Sequence, residues 1–173
     1  FSIDESWLDV TGSRALFGSG ETIADAIRRE LREELGITVS VGVSFNKIFA
    51  KMGSDYKKPD ATTVITRENY RQLLWPLPIS DLIFVGSASR NALRELGIYT
   101  IGDLARTDPA LLTARLGKAG TVLSTYARGE DESRVASISD EPEEPKSVGN
   151  GMTFRRDLTG EDDIRIGVLY LAD

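Results

Sequence analysis

From Ile23 through Ile27 and Leu31 to Leu35, apolar residues recur at helical spacing, with charged side chains between them. That period predicts an amphipathic helix over about 21–35, stopped by Gly36. The pattern then changes. Ile37, Val39, Val41 and Val43 alternate with small or polar residues, which predicts a strand over 37–43. A short helix follows over 46–56, then a strand over 62–65, and Thr66 is placed to cap a helix running through Leu74. Upstream, Phe1–Ile3 and Trp7–Val10 read as two short strands around a bend at Asp4-Glu5, and Thr11-Gly12-Ser13 is turn chemistry. This β-β-α-β-α-β run predicts an α+β fold, a sheet with helices on one face.

Trp75-Pro76-Leu77-Pro78 interrupts the run and marks a domain boundary. From 79 to 127 every signal is helical and short, which predicts a small all-α domain. Asp108-Pro109 supplies an N-cap followed by proline at the first helical position. Thr100 with Asp103 resembles a capping box, and Gly97 and Gly117 read as helix stops. Residues 131–145 are acidic, contain Pro142 and Pro145, and read as a linker. Beyond them come a strand from Lys146 to about Arg155 and a helix capped by Thr159. A lone strand and helix cannot close a core, so this end reads as truncated or completed by a neighbour. The chain starts at Phe1 rather than Met, as a processed or excised chain does.

Composition narrows the chemistry. The 173 residues, 40% hydrophobic and 28% charged, suffice for one medium domain or two small ones. Cys and His are both absent, which excludes disulfides, thiolate or imidazole zinc sites, Cys nucleophiles and His-based triads. A metal here is held by oxygen, which favours Mg²⁺, Mn²⁺ or Ca²⁺. Lack of Cys fits a cytoplasmic setting, and no apolar run is long enough to span a membrane. The net charge is −6, unlike the basic balance of a free-standing nucleic-acid binder. Its distribution says more. Lys47, Lys51, Lys57 and Lys58 oppose Asp55 alone within 44–58, whereas 129–144 is strongly acidic. The first stretch suits phosphate; the second repels it.

The candidate chemistry starts at Asp4 and Glu5. Neighbours in a regular strand point to opposite faces, so these carboxylates converge on one cation only where the backbone bends. Taken alone, the pair reads first as a solvated acidic turn, since acids are mostly exposed. Its context is more specific. Residues Ser2-Ile3-Asp4-Glu5-Ser6-Trp7-Leu8-Asp9-Val10-Thr11 resemble the catalytic strand of the Y-family, or translesion, DNA polymerases. The resemblance continues in order through 37–51, Ser54 to Asp60, Leu96 to Ala105, and Lys146 to Asn150 with Thr153-Phe154 and Asp157-Leu158. It is strongest to the DNA polymerase IV and UmuC-like branch.

The resemblance implies a right-hand polymerase in pieces. Residues 1–75 would be the later part of the palm, 76–130 the thumb with its helix-hairpin-helix, 131–145 a linker, and 146–173 the opening of the little finger, an α/β domain. It implies that Asp4 and Glu5 are two of three palm carboxylates holding two Mg²⁺ ions. The third, with the fingers, belongs to segments not found in 1–173, so these residues alone are expected to be inactive. Lys58 aligns with the lysine that touches the triphosphate of the incoming dNTP; on spacing alone it is an ordinary loop lysine. Lys47 and Lys51 share a helix face and supply either positive potential or structural ion pairs.

In the thumb, Gly86 keeps the first glycine of the phosphate-gripping hairpin, Ala88 replaces the second, and Arg90 is placed to add a contact. Gly117-Lys118 lies in a second, weaker hairpin, making Lys118 a further DNA-binding candidate. Implied partners are primer–template DNA, dNTP and a sliding clamp reached through a C-terminal tail; a membrane is not among them. Asp60-Ala61 and Gly149-Asn150-Gly151 depart from the family pattern as loop variation. Trp7 and Trp75 read as core rather than base-stacking residues. The rival reading is a non-catalytic DNA-binding or regulatory module on the same palm-thumb scaffold, which the −6 charge and Ala88 favour.

Overall fold

A computed structural model describes residues 3–136 and 147–172. They fall into two compact units, divided between Val135 and Ala136. The first is a mixed α+β body with a small parallel sheet and many helices.

The chain enters through a turn at Ile3-Asp4 and a single bridging residue at Glu5. The strand expected over Phe1–Ile3 lies largely outside the described residues. The one expected over Trp7–Val10 does not form: 6–10 has no regular structure. A strand needs a hydrogen-bonded neighbour, and among the described residues none pairs with 6–10. Side chains hold the segment instead. The Trp7 indole N–H donates to the Lys47 carbonyl at 3.1 Å, and Asp9 accepts from the Thr11 N–H at 3.0 Å. That turn leads into helix α1, Arg14–Phe17.

Helix α2, Gly20–Leu35, forms where the apolar period placed it. Ser19 caps it by accepting from the Thr22 N–H, and Gly36 ends it in the left-handed conformation. Strand β1 is only Val41–Val43, shorter than the alternation suggested, and pairs in parallel with β2, Thr62–Val64. The register sets Val41 opposite Thr62, Gly42 opposite Thr63 and Val43 opposite Val64. The expected mixed sheet is thus, among the described residues, a two-stranded parallel one. Helix α3, Lys47–Tyr56, makes the crossover and buries Ile48, Phe49, Met52 and Gly53. Gly42 lets α3 lie directly on β1: a Cβ there would sit 1.8 Å from the Ala50 carbonyl oxygen.

Helix α4, Tyr70–Leu74, starts four residues beyond Thr66, which does not cap it. The intervening turn is closed reciprocally, Asn69 Oδ1 accepting from the Thr66 N–H and Thr66 Oγ1 from the Asn69 N–H. After the Pro76 and Pro78 break come α5 (Ser87–Glu95), α6 (Ile101–Arg106), α7 (Pro109–Leu116) and α8 (Lys118–Arg128). The Thr100–Asp103 capping box and the Asp108 N-cap with Pro109 both form as read. One hydrophobic core runs from Phe49 and Ile65 through Leu74 to Ile101, Leu104 and Leu112. Trp75 packs against it, its indole N–H donating to the Ala127 carbonyl at 3.1 Å.

In the second unit the only regular element among the described residues is α9, Gly160–Ala172. The strand expected from Lys146 is absent over 147–155, and the described part of this unit offers it no partner strand. Asp163 accepts from the Thr159 N–H and pairs with Arg156 at 2.5 Å. Foremost through the Arg156 hydrogen bond, its carboxyl is held down at about 2. Most of the acidic linker, 137–145, lies outside the described residues.

Candidate functional site

Glu5 is brought against α3. Its Oε1 accepts from the Lys51 ammonium at 2.7 Å, and the same ammonium reaches Asp55 Oδ2 at 2.8 Å. Asp55 turns its other oxygen to Lys58, 2.5 Å away. Burial acts first on Lys51 and lowers its pKa; hydrogen bonds to Asp55 and Glu5 outweigh that and raise it overall. Asp55 mirrors this: desolvation raises it, and hydrogen bonds from Lys51 and Lys58 more than reverse the effect. Lys51 therefore stays charged at neutral pH and Asp55 ionised.

Asp4 is exposed beside Glu5. Two adjacent carboxylates at a bend fit the hard-oxygen preference of Mg²⁺ as part of a ligand set. Among the described residues they are not joined by a third: no group of three or more acidic, His or Cys side chains gathers there. Lys47 and Lys51, predicted on one face, part company. Lys47 donates to the Arg134 carbonyl at 2.8 Å and lies over the Trp7 ring, 5.6 Å from its centroid.

The turn carrying Lys58 is anchored from the far side. Asp60 adopts a positive φ of 49°, and its carboxylate meets Arg28 at 2.8 Å and Arg32 at 3.0 Å. Chiefly through the Arg28 hydrogen bond, Asp60 is held below the usual carboxylate range. Thr62 Oγ1 donates to Asp25 at 2.6 Å and accepts from Arg28. Sequence reading missed Asp55, Arg28 and Arg32 as members of the site. Helical spacing was the available signal for the Lys51–Asp55 pair and for the two arginines; the link from α2 to Asp60 is long-range and left none.

In the helical part, Gly86 is the N-cap of α5 with extended backbone, and no side chain caps that helix. Its carbonyl accepts from the Arg90 N–H at 2.9 Å. Ala88 is exposed, while Arg90 is half-buried with its Nε unpartnered. Lys118 is the first residue of α8 and is exposed; Gly117 precedes it at φ 61°, again without a side-chain cap. Both helix starts thus present backbone N–H groups, the arrangement that receives a phosphate.

The family model described as impB/mucB/samB family matches residues 1–55. DNA polymerase IV of Acetivibrio thermocellus is 48% identical over 174 residues, which is all of this chain and 43% of that protein. A solved Y-family DNA polymerase chimera, Dbh-Dpo4(243-245)-Dbh, superposes with TM-score 0.66 at 33% identity, over 77% of this chain and 39% of that one. DinB from Sulfolobus solfataricus superposes with TM-score 0.63 at 31% identity, over 73% and 37%. The chain therefore spans less than half the length of the proteins it matches. The likeness to DNA polymerase IV takes in the whole of this chain, from the Asp4-Glu5 bend through the α3 lysines to the helices after Pro78, and the family model, the relatives and the solved structures together support a DinB-like fragment of a Y-family DNA polymerase.

Proposed function

We propose that the protein is a translesion DNA polymerase, extending a primer 3′-hydroxyl opposite damaged template. Residues 1–75 act as the later palm, 76–130 as the thumb with its helix-hairpin-helix, 131–145 as the linker, and 146–173 as the start of the little finger. The observation that carries this is the ion pair of Glu5, the neighbour of Asp4, with Lys51, which Asp55 links on to Lys58, in a chain similar throughout to DNA polymerase IV.

The reaction moves a nucleotidyl group: the primer 3′-oxygen bonds to the α-phosphorus of a dNTP, and pyrophosphate leaves. Asp4 and Glu5 supply oxygen ligands for Mg²⁺. Held there, two such ions would supply a lowered pKa at the 3′-hydroxyl and positive charge against the transferring phosphoryl. Lys58 meets the triphosphate as a point charge. Until a cation binds, Lys51 holds Glu5 in place at 2.7 Å. Gly86, Ala88 and Lys118 offer helix-start amides and charge to the DNA backbone, with Arg90 beside them, contacts that position without reading sequence. A sliding clamp and a cytoplasmic setting complete the reading. Residues 1–173 alone sustain no extension on this view, since the third carboxylate and the fingers of the family are not among them.

The test uses the protein of the full reading frame. Asp4→Asn and Glu5→Gln each abolish Mg²⁺-dependent primer extension while circular dichroism and the thermal midpoint stay put. Extension retained in both variants overturns the catalytic assignment. The second reading, a non-catalytic module on the same scaffold, is favoured by the −6 charge; it predicts DNA binding with no extension in the wild type.

A further inference from the structure

Glu5, Lys51, Asp55 and Lys58 form an unbroken line of alternating charge, with contacts of 2.7, 2.8 and 2.5 Å. The line joins groups that serve different ligands. Glu5 faces a divalent cation and Lys58 a nucleoside triphosphate, assignments that rest on the function proposed above. Asp55 stands between them and belongs to neither, giving Oδ2 to Lys51 and Oδ1 to Lys58. Exposure rises along the lysines, from 13% of the Lys51 side chain to 55% of Lys58, so Lys58 is the lysine open to solvent.

We propose that Asp55 is a positioning residue that couples the two sites, so that a cation at Glu5 releases Lys58 to the triphosphate. Without the cation, the Lys51 ammonium is shared between two carboxylates, and Asp55 draws Lys58 back onto the end of α3. A divalent cation at Glu5 takes over that carboxylate and repels Lys51. The ammonium then turns wholly to Asp55, which sits one helical turn away on its own face. With its charge met from one side, Asp55 holds Lys58 less, and the exposed lysine is available to phosphate. The coupling is reciprocal, because linkage between two binding sites has no direction. Its size is small, since the outer pair is half-exposed: about two- to fivefold in affinity.

The test follows binding rather than turnover. The full-length protein is held on a primer ending in a dideoxynucleotide. The probe is an exchange-inert rhodium(III) complex of a dNTP, which carries its own metal, so that added Mn²⁺ reports on the protein carboxylates. Mn²⁺ binding is read separately by electron paramagnetic resonance. In the wild type, Mn²⁺ tightens probe binding by about two- to fivefold. Asp55→Asn binds the probe tightly without Mn²⁺ and gains little when it is added. Asp55→Glu restores the dependence on Mn²⁺, an outcome that loss of fold does not produce. If Asp55→Asn keeps the full Mn²⁺ dependence while Glu5→Gln weakens Mn²⁺ and Lys58→Ala weakens the probe, the coupling is overturned and the site assignment stands. If Glu5→Gln and Lys58→Ala change neither, the site assignment falls and takes the coupling with it.

Discussion

The side-chain amide of Asn46 donates to the carbonyl of Gly129 at 3.1 Å, across 83 residues of chain. The same side chain accepts from the Phe49 N–H at 2.8 Å and so caps α3. One residue thereby starts the lysine-bearing helix and ties it to the end of α8. Gly129 has no substitute in this contact. Its φ is 74°, and a Cβ would stand 2.6 Å from the Phe49 ring.

Asn46→Ala should therefore cost more than a missing cap. Loss of an N-cap costs about 0.5–2 kcal/mol, and an unanswered Gly129 carbonyl adds about 1 kcal/mol. Asn46→Asp keeps the cap acceptor and loses only the donor, so it should recover the larger part. Urea denaturation of the three proteins measures this. An Asn46→Ala midpoint equal to wild type would mean that α3 does not depend on this residue.

The local parts of this fold were legible in the sequence. Helix α2, the Thr100–Asp103 box, and the Asp108-Pro109 start depend on residues within one or two helical turns, and each formed as read. The errors lie where a partner decides. Trp7–Val10 alternates like a strand but has no ladder to join among the described residues, and β1 shrinks to the three residues that face β2. The candidate site divides in the same way. Asp4, Glu5 and Lys58 stood out because a motif marks them. Asp55 and the Arg28–Asp60 anchor take their meaning from contacts that only the folded chain makes.

Acid should undo the capping box before it undoes the core. Asp103 Oδ2 accepts from the N–H groups of Thr100 at 2.9 Å and Tyr99 at 3.2 Å. The Thr100 side-chain hydrogen bond comes first among the influences that hold its carboxyl below the ordinary range; backbone N–H groups add to it against desolvation. Asp60 is lowered likewise, foremost by Arg28. A carboxylate lowered in the folded state stabilises above its unfolded pKa of about 3.9 and loses that contribution as pH falls through the native value. The thermal midpoint should thus hold steady from neutral to about pH 5 and fall below about pH 4. Asp103→Asn should melt lower at neutral pH and converge on wild type in acid. Parallel curves for the two proteins over the whole range would place the acid sensitivity elsewhere.

Lys118 offers the cleanest test of DNA contact, because its helix start is exposed and Gly117 supplies no side-chain cap. If Lys118 meets a backbone phosphate, binding releases one condensed counterion that Lys118→Ala cannot release. The slope of log affinity against log salt should then fall by about 0.9 on duplex DNA. The loss should be uniform across sequences, since phosphate contacts position the protein without reading bases. Arg115→Ala is the matched control. Arg115 is as cationic and lies on the preceding helix, but it is engaged with Glu95, so its removal should leave the slope nearly unchanged. Titrations of the full-length protein with a fluorescent primer–template, repeated over a range of salt, give both slopes. Equal slopes for wild type and Lys118→Ala would remove Lys118 from the interface. Equal losses from both variants would show that the charge of the whole hairpin, and not the α8 start, meets the DNA.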